Sequence, residues 1–229
     1  MATLQSLYLR GPDALDPFGG GPGFDHFGRP RRHSCRFQAG MSQPPLTHQM
    51  ANLLESPAVQ KIGFRFGHVI VTPTDFRDVA TALRAGRVTV KIDPAELKRH
   101  DAIAMYEHTG NVVTVASAGI LGTIEGRSTV VHEAAHAVAD NRGRGTAVRH
   151  DECAAYICEA WYYLETTTVT QAVIDKSSCT EAIFEIAKAL RNRAKSEKPP
   201  RASNDEINRG RREMARYGYQ NGHYSYNGI

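Results

Sequence analysis

An α+β fold is predicted for this 229-residue chain, with a small twisted sheet ahead of a set of packed helices. Three observations predict it. The stretches "RVTVKID" (87–93) and "NVVTVAS" (111–117) are short and rich in β-branched residues, as strands are. The segments after residue 128 carry apolar residues at helical spacing over two turns or more. A hydrophobic content of 41% is enough to build a core at this length.

In chain order, residues 1–45 come first. Within them 11–45 hold six of the eleven prolines and seven glycines, too little apolar surface to offset the entropy of ordering. A disordered N-terminal segment is expected there. A folded domain is expected over 46–196. It opens with helices in "THQMANLLES" and "TDFRDVATALRAG", the second ending at Gly86, where a left-handed cap belongs. The strand 87–93 follows, then two strands in "AIAMYEH" and "NVVTVAS" around a turn at Thr109–Gly110. A helix through 128–140 closes at "NRGRG", and a second helix runs through "HDECAAYICEAWYYLE". A third starts at a capping box of Ser178 and Glu181. Residues 197–229 read as a basic, Tyr-rich C-terminal tail, with a short helix after Ser203 and Glu206.

Composition excludes several classes of function. No run of 18 apolar residues is present, so no membrane span is expected. The net charge of +4 comes largely from arginines near the two ends, without the dense basic surface that nucleic-acid binding requires. Cys35, Cys153, Cys158 and Cys179 form no CxxC pair and read as reduced thiols, the last three in or beside helices. The first twenty residues lack the pattern of a secretory signal, which points to a cytoplasmic protein or one exported without a classical signal peptide.

The chemistry concentrates in "STVVHEAAHAVAD" (128–140). His132 and His136 stand four apart on a helix, so both can aim a nitrogen at one ion. Glu133 is rotated about 100° from His132, beside that ion without ligating it. Val131, Ala134, Ala135 and Val138 are available to pack the helix down. Two histidines and a glutamate in this spacing suit Zn2+, with Glu133 as the base that takes a proton from a water acidified by the metal.

A catalytic zinc needs a third protein ligand. The continuation H-E-x-x-H-x-x-G-x-x-H fails, because Ala139 and Arg142 stand at the Gly and His positions. An aspartate in a G-T-x-D pattern fails as well, because Val148 occupies its place. The next helix offers Glu152 and Glu159, with Asp151 as a lesser candidate and His150 read as a cap or surface residue.

"HEAAH" followed by a short glycine-containing connection and "DECAAYICEA" resembles the small glutamate-ligand zinc peptidases, the minigluzincins, including the ImmA/IrrE type. The likeness covers about residues 130–165. It implies a zincin-like fold, with the active-site helix and a second ligand-bearing helix packed on the sheet. It also implies Glu152 as the third ligand, and Ala155 as the small residue that lets the two helices approach. Relatives of the thermolysin kind place an Asp four residues after that Glu to orient a histidine; Tyr156 stands there instead. The resemblance therefore implies a zinc endopeptidase acting on a protein or peptide substrate. In such enzymes an edge strand beside the cleft binds the substrate by backbone pairing, and "NVVTVAS" is the candidate, though it reads as well as an ordinary central strand. Tyr156, His223 and Tyr224 are the candidates for stabilising the oxyanion. Cys35 could place a thiolate on the zinc and hold the enzyme latent, and Trp161 reads as core. The alternative reading is a catalytically silent zinc-binding module of the same fold, against which the intact Glu133 argues. The Gly/Pro-rich leader suits an exported effector or toxin as well as an intracellular regulatory protease.

Overall fold

The structure, a computed structural model, describes residues 44–143 and 145–229. Its elements in order are α1 (Leu46–Leu54), β1 (Phe64–Phe66), β2 (Val69–Val71), α2 (Pro73–Arg84), β3 (Thr89–Ile92), α3 (Pro94–Arg99), β4 (Ala104–Glu107) and β5 (Val112–Val115). Then come α4 (Ile124–Asn141), β6 (Thr146–Ala147), α5 (Val148–Thr166), α6 (Gln171–Lys176), α7 (Glu181–Arg193), α8 (Asn204–Arg216) and β7 (His223–Tyr224). The fold is mixed α and β with small sheets, as the patterning predicts. The expectations for residues 1–43, including disorder and a role for Cys35, lie outside the described residues.

The main sheet has the order β3-β5-β4, with β3 parallel and β4 antiparallel to β5. This corrects the edge-strand reading of 111–117. β5 is the central strand, and the edge beside the histidine helix is β4. The sequence shows β3 and β5 as separate strands, but their parallel pairing is made only when α3 and β4 cross between them. The turn after β4 is closed by Glu107, whose carboxylate accepts from the N–H groups of Thr109 and Gly110. Asn111, not Gly110, takes the left-handed conformation there. Gly86 does sit at φ +71° after α2, as its position predicts.

Helix α4 starts at Thr123, whose hydroxyl accepts from the Gly126 N–H at 3.0 Å. Val131, Ala134, Ala135 and Val138 do pack inward, and residues 128–140 are buried on every side. Alanines at 134, 135, 137 and 139 make this possible, since their small side chains let α5, α2 and the sheet close around the helix. Helix α7 is capped by Thr180, whose side chain accepts from Ile183 N. The expected Ser178 cap is not formed, because the Ser178 hydroxyl is turned to Glu159.

Residues 197–229 fold onto the domain. A capping box of Ser203 and Glu206 starts α8 as predicted. Gly210 lies against Cys153 on α5 and Phe66 on β1; a Cβ there would meet the sulfur at 2.4 Å, so any side chain would push α8 off. Cys153, Cys158 and Cys179 are free and buried, and burial raises all three thiols well above their ordinary range. Trp161 is buried and stacked on Phe64. Among the described residues no helix is long and apolar enough to cross a membrane.

Candidate metal centre

The helix pair α4–α5 brings the predicted residues together. His132 Nε2 and His136 Nε2 are 3.2 Å apart, and Glu152 Oε2 lies 3.8 Å and 3.7 Å from them. All three residues are buried. Tetrahedral bonds of about 2.0–2.2 Å would set ligand atoms roughly 3.3–3.6 Å apart, and the three separations here come within about 0.2 Å of that range. Glu152 Oε2 accepts no hydrogen bond among the described residues, and an orphaned buried carboxylate oxygen facing two imidazole nitrogens fits a cation. Among the described residues, this trio is the group of side chains that could hold a metal ion.

The two other candidate acids of α5, Asp151 and Glu159, have different work. Asp151 Oδ2 sits 2.5 Å from His136 Nδ1. Glu159 Oε2 sits 3.2 Å from His132 Nδ1, in ion-pair range though not aligned as a hydrogen bond. Each acid therefore meets the ring nitrogen that points away from the cluster, where a carboxylate fixes the tautomer and makes the other nitrogen a better ligand. This answers the rivalry between Glu152 and Glu159 geometrically: Glu152 faces the inner nitrogens, and Glu159 and Asp151 the outer ones. Glu159 is itself held by the Ser178 hydroxyl, a tie with no signature in local sequence. Tyr156 packs its ring edge-on to His132 at 4.5 Å and turns its hydroxyl to Tyr219, 3.4 Å away. It supports the histidine through its ring and does not face the cluster as an oxyanion donor. His150 is away from the cluster, edge-on to Phe66 and His68.

Glu133 reaches the cluster from the sheet side. Its Oε2 accepts from the Tyr106 N–H of β4 at 2.7 Å, while its buried Oε1 has no hydrogen-bond partner among the described residues. Burial raises its carboxyl above the ordinary range; the two imidazoles and the Tyr106 N–H oppose the rise and Glu152 adds to it. A raised carboxyl with one free oxygen is poised to accept a proton and give it back. For His136, burial alone would lower the imidazole, but Glu152, Asp151 and Glu133 overcome this and raise it to about 10.

A cavity of about 20 Å³ lies among Glu133, His136, Glu152 and the β4 edge. That is room for one water and little more. Its far wall is Tyr224, one of the three oxyanion candidates, together with Tyr226, for which no place at the site was expected. Tyr224 donates to Glu152 Oε1 at 2.9 Å and Tyr226 to Asp151 Oδ2 at 2.6 Å. His223, the neighbouring oxyanion candidate, is exposed on β7. No protein-family model matches the chain, and no curated protein or solved structure does either.

Proposed function

We propose that the chain is a zinc-dependent endopeptidase in which His132, His136 and Glu152 hold the ion and Glu133 is the general base. The reading rests on one observation. Three neutral-or-anionic ligand atoms converge at tetrahedral spacing, with a fourth, partly free carboxylate beside them. A zinc bound there would supply a Lewis acid able to acidify a water and polarise a peptide carbonyl. Glu133 Oε1 takes the proton of the water that enters the cavity, whose oxygen adds to the acyl carbon. Glu133 Oε1 then passes that proton to the amine nitrogen as the C–N bond breaks. Tyr106 N holds Glu133 Oε2 throughout, so the proton moves at a defined atom. Asp151 and Glu159 keep both histidines turned inward.

A second reading, a zinc-binding module without catalysis, draws support from the 20 Å³ cavity, which admits no peptide as it stands. One experiment separates the two. Zinc is measured by elemental analysis in the wild type, Glu152→Ala and Glu159→Ala, and cleavage of an unstructured casein-like substrate is followed with Glu133→Ala as control. One zinc per chain, lost in Glu152→Ala and kept in Glu159→Ala, with cleavage that needs Glu133, is the expected outcome. A folded wild type that takes up no stoichiometric zinc overturns the reading. Zinc without cleavage in any form of the chain supports the module.

A further inference from the structure

The stretch "GHYSYNGI" (222–229) runs across the mouth of the cluster. It is anchored at one end beside α5, where β7 pairs antiparallel with β6 and Gly222 O accepts from Val148 N. Tyr224 and Tyr226, two apart in an extended segment, fall on one side and reach Glu152 and Asp151. Tyr226 also packs edge-on against His108, just past the β4 edge. Beyond them, the Asn227 and Gly228 N–H groups donate to Asp140 Oδ1 at 3.0 and 2.9 Å. The Asn111 side chain donates to Gly228 O and Arg87 to Ile229 O. The segment thus lies opposite the edge strand, over the free oxygen of Glu133, where an extended substrate has to run.

We propose that residues 222–229 are an intramolecular blocking strap, occupying the groove until it is displaced. Its consequence for cleavage rests on the peptidase reading above; its geometry does not. The strap leaves Glu152 Oε2 free, because Tyr224 binds the other oxygen, so the blocked chain can still carry its metal. The strap is also releasable. The ordering entropy of eight backbone residues is similar in size to the net worth of the bonds that hold it, and no helix depends on it beyond the first N–H of α5.

The test compares three chains: wild type, full-length Tyr224→Ala/Tyr226→Ala, and a chain ending at Asn221. Zinc-loaded samples are challenged with a chelator, cleavage of the casein-like substrate is measured, and metal-free samples are titrated with a fluorescein-labelled GHYSYNGI peptide. Zinc should leave both variants at least tenfold faster than wild type. Cleavage should rise at least tenfold in the shortened chain, which alone should bind the peptide saturably. The double variant carries the test if the shortened chain fails to fold. Unchanged zinc release and no peptide binding, in variants with wild-type circular dichroism, overturn the strap. So does cleavage that is lost on removal and restored by the peptide, which would make the tyrosines part of the machinery. Faster release and peptide binding without cleavage in any chain keep the strap and sink the peptidase reading.

Discussion

Helix α5 carries a buried acidic site at each end, roughly 20 Å apart by helical rise, and the two are balanced in opposite ways. Near its C-terminal end the Glu165 carboxylate, 5% exposed, meets Lys61 at 2.7 Å and Arg191 at 2.5 Å. Burial pushes this carboxyl up, but the two cations more than reverse it, and it stays below the ordinary range. From its first turn to its middle, Asp151, Glu152 and Glu159 are buried together with Glu133 of α4. Among the described residues no Lys or Arg forms an ion pair with any of the four, and the basic groups beside them are two imidazoles. A buried carboxylate with a permanent cation is structural. Four of them gathered around two imidazoles, with no permanent cation, make a site of another kind, whose charge a metal ion would balance.

The largest effect that would break this contrast is chemical. Glu133→Gln should lower cleavage about 10³-fold, in the range for losing a general base, while zinc content is unchanged; retained cleavage would return Glu133 to the same structural class as Glu165. Next, Glu152→Ala should abolish stoichiometric zinc and Glu165→Ala should leave it intact, as read by elemental analysis. Asp151→Asn and Glu159→Gln should sit between, weakening zinc about 10–100-fold in a competition titration without removing the site. If Glu159→Gln erased binding and Glu152→Ala did not, the assignment of inner and outer acids would be reversed.

The pH response should differ in sign between the two ends. His136 is raised to about 10 when folded, against about 6.5 unfolded. In the metal-free chain its contribution to stability is complete below about pH 6.5 and disappears as pH climbs through 10. Over that same window zinc affinity should increase, because binding must expel the His136 proton. Glu165 is lowered, so its contribution is complete above its unfolded pKa and disappears as pH falls through the lower folded value. Urea melts of wild type and Glu165→Gln should therefore converge in acid. Calorimetry should show zinc binding releasing protons at neutral pH. The smallest effect is at neutral pH, where Glu165→Gln should cost about 1 kcal/mol, since its partners Lys61 and Arg191 are largely exposed.

Much of the site was legible because it is local. His132 and His136 share a helix face by their spacing alone, and the same spacing turns Glu133 aside. The capping box of Ser203 and Glu206 and the left-handed Gly86 follow the same logic, each set by a few neighbouring residues. Where contacts span the chain, the reading ran out or went astray. Local sequence leaves β5 open between an edge and a central strand, because the parallel partner of Val112 is Thr89, far back in the chain. The burial of α4 on every side is not legible either, because its alanines do not declare how many neighbours they admit. Ser178 was taken for a cap because nothing nearby shows Glu159, nineteen residues back, competing for its hydroxyl.

By itself the sequence determined the donor set: two histidines and a base on one helix, and three candidate acids, Asp151, Glu152 and Glu159, on the next. Helical geometry sets the angles between residues on the same rod. It does not set how far α5 slides along α4, and that translation decides which acid faces the inner nitrogens and which the outer. Only the tertiary structure settled that division, with Glu152 inward and Asp151 and Glu159 behind the rings. It also brought Tyr224 and Tyr226 over the mouth of the cluster, more than seventy residues along the chain from the carboxylates they meet.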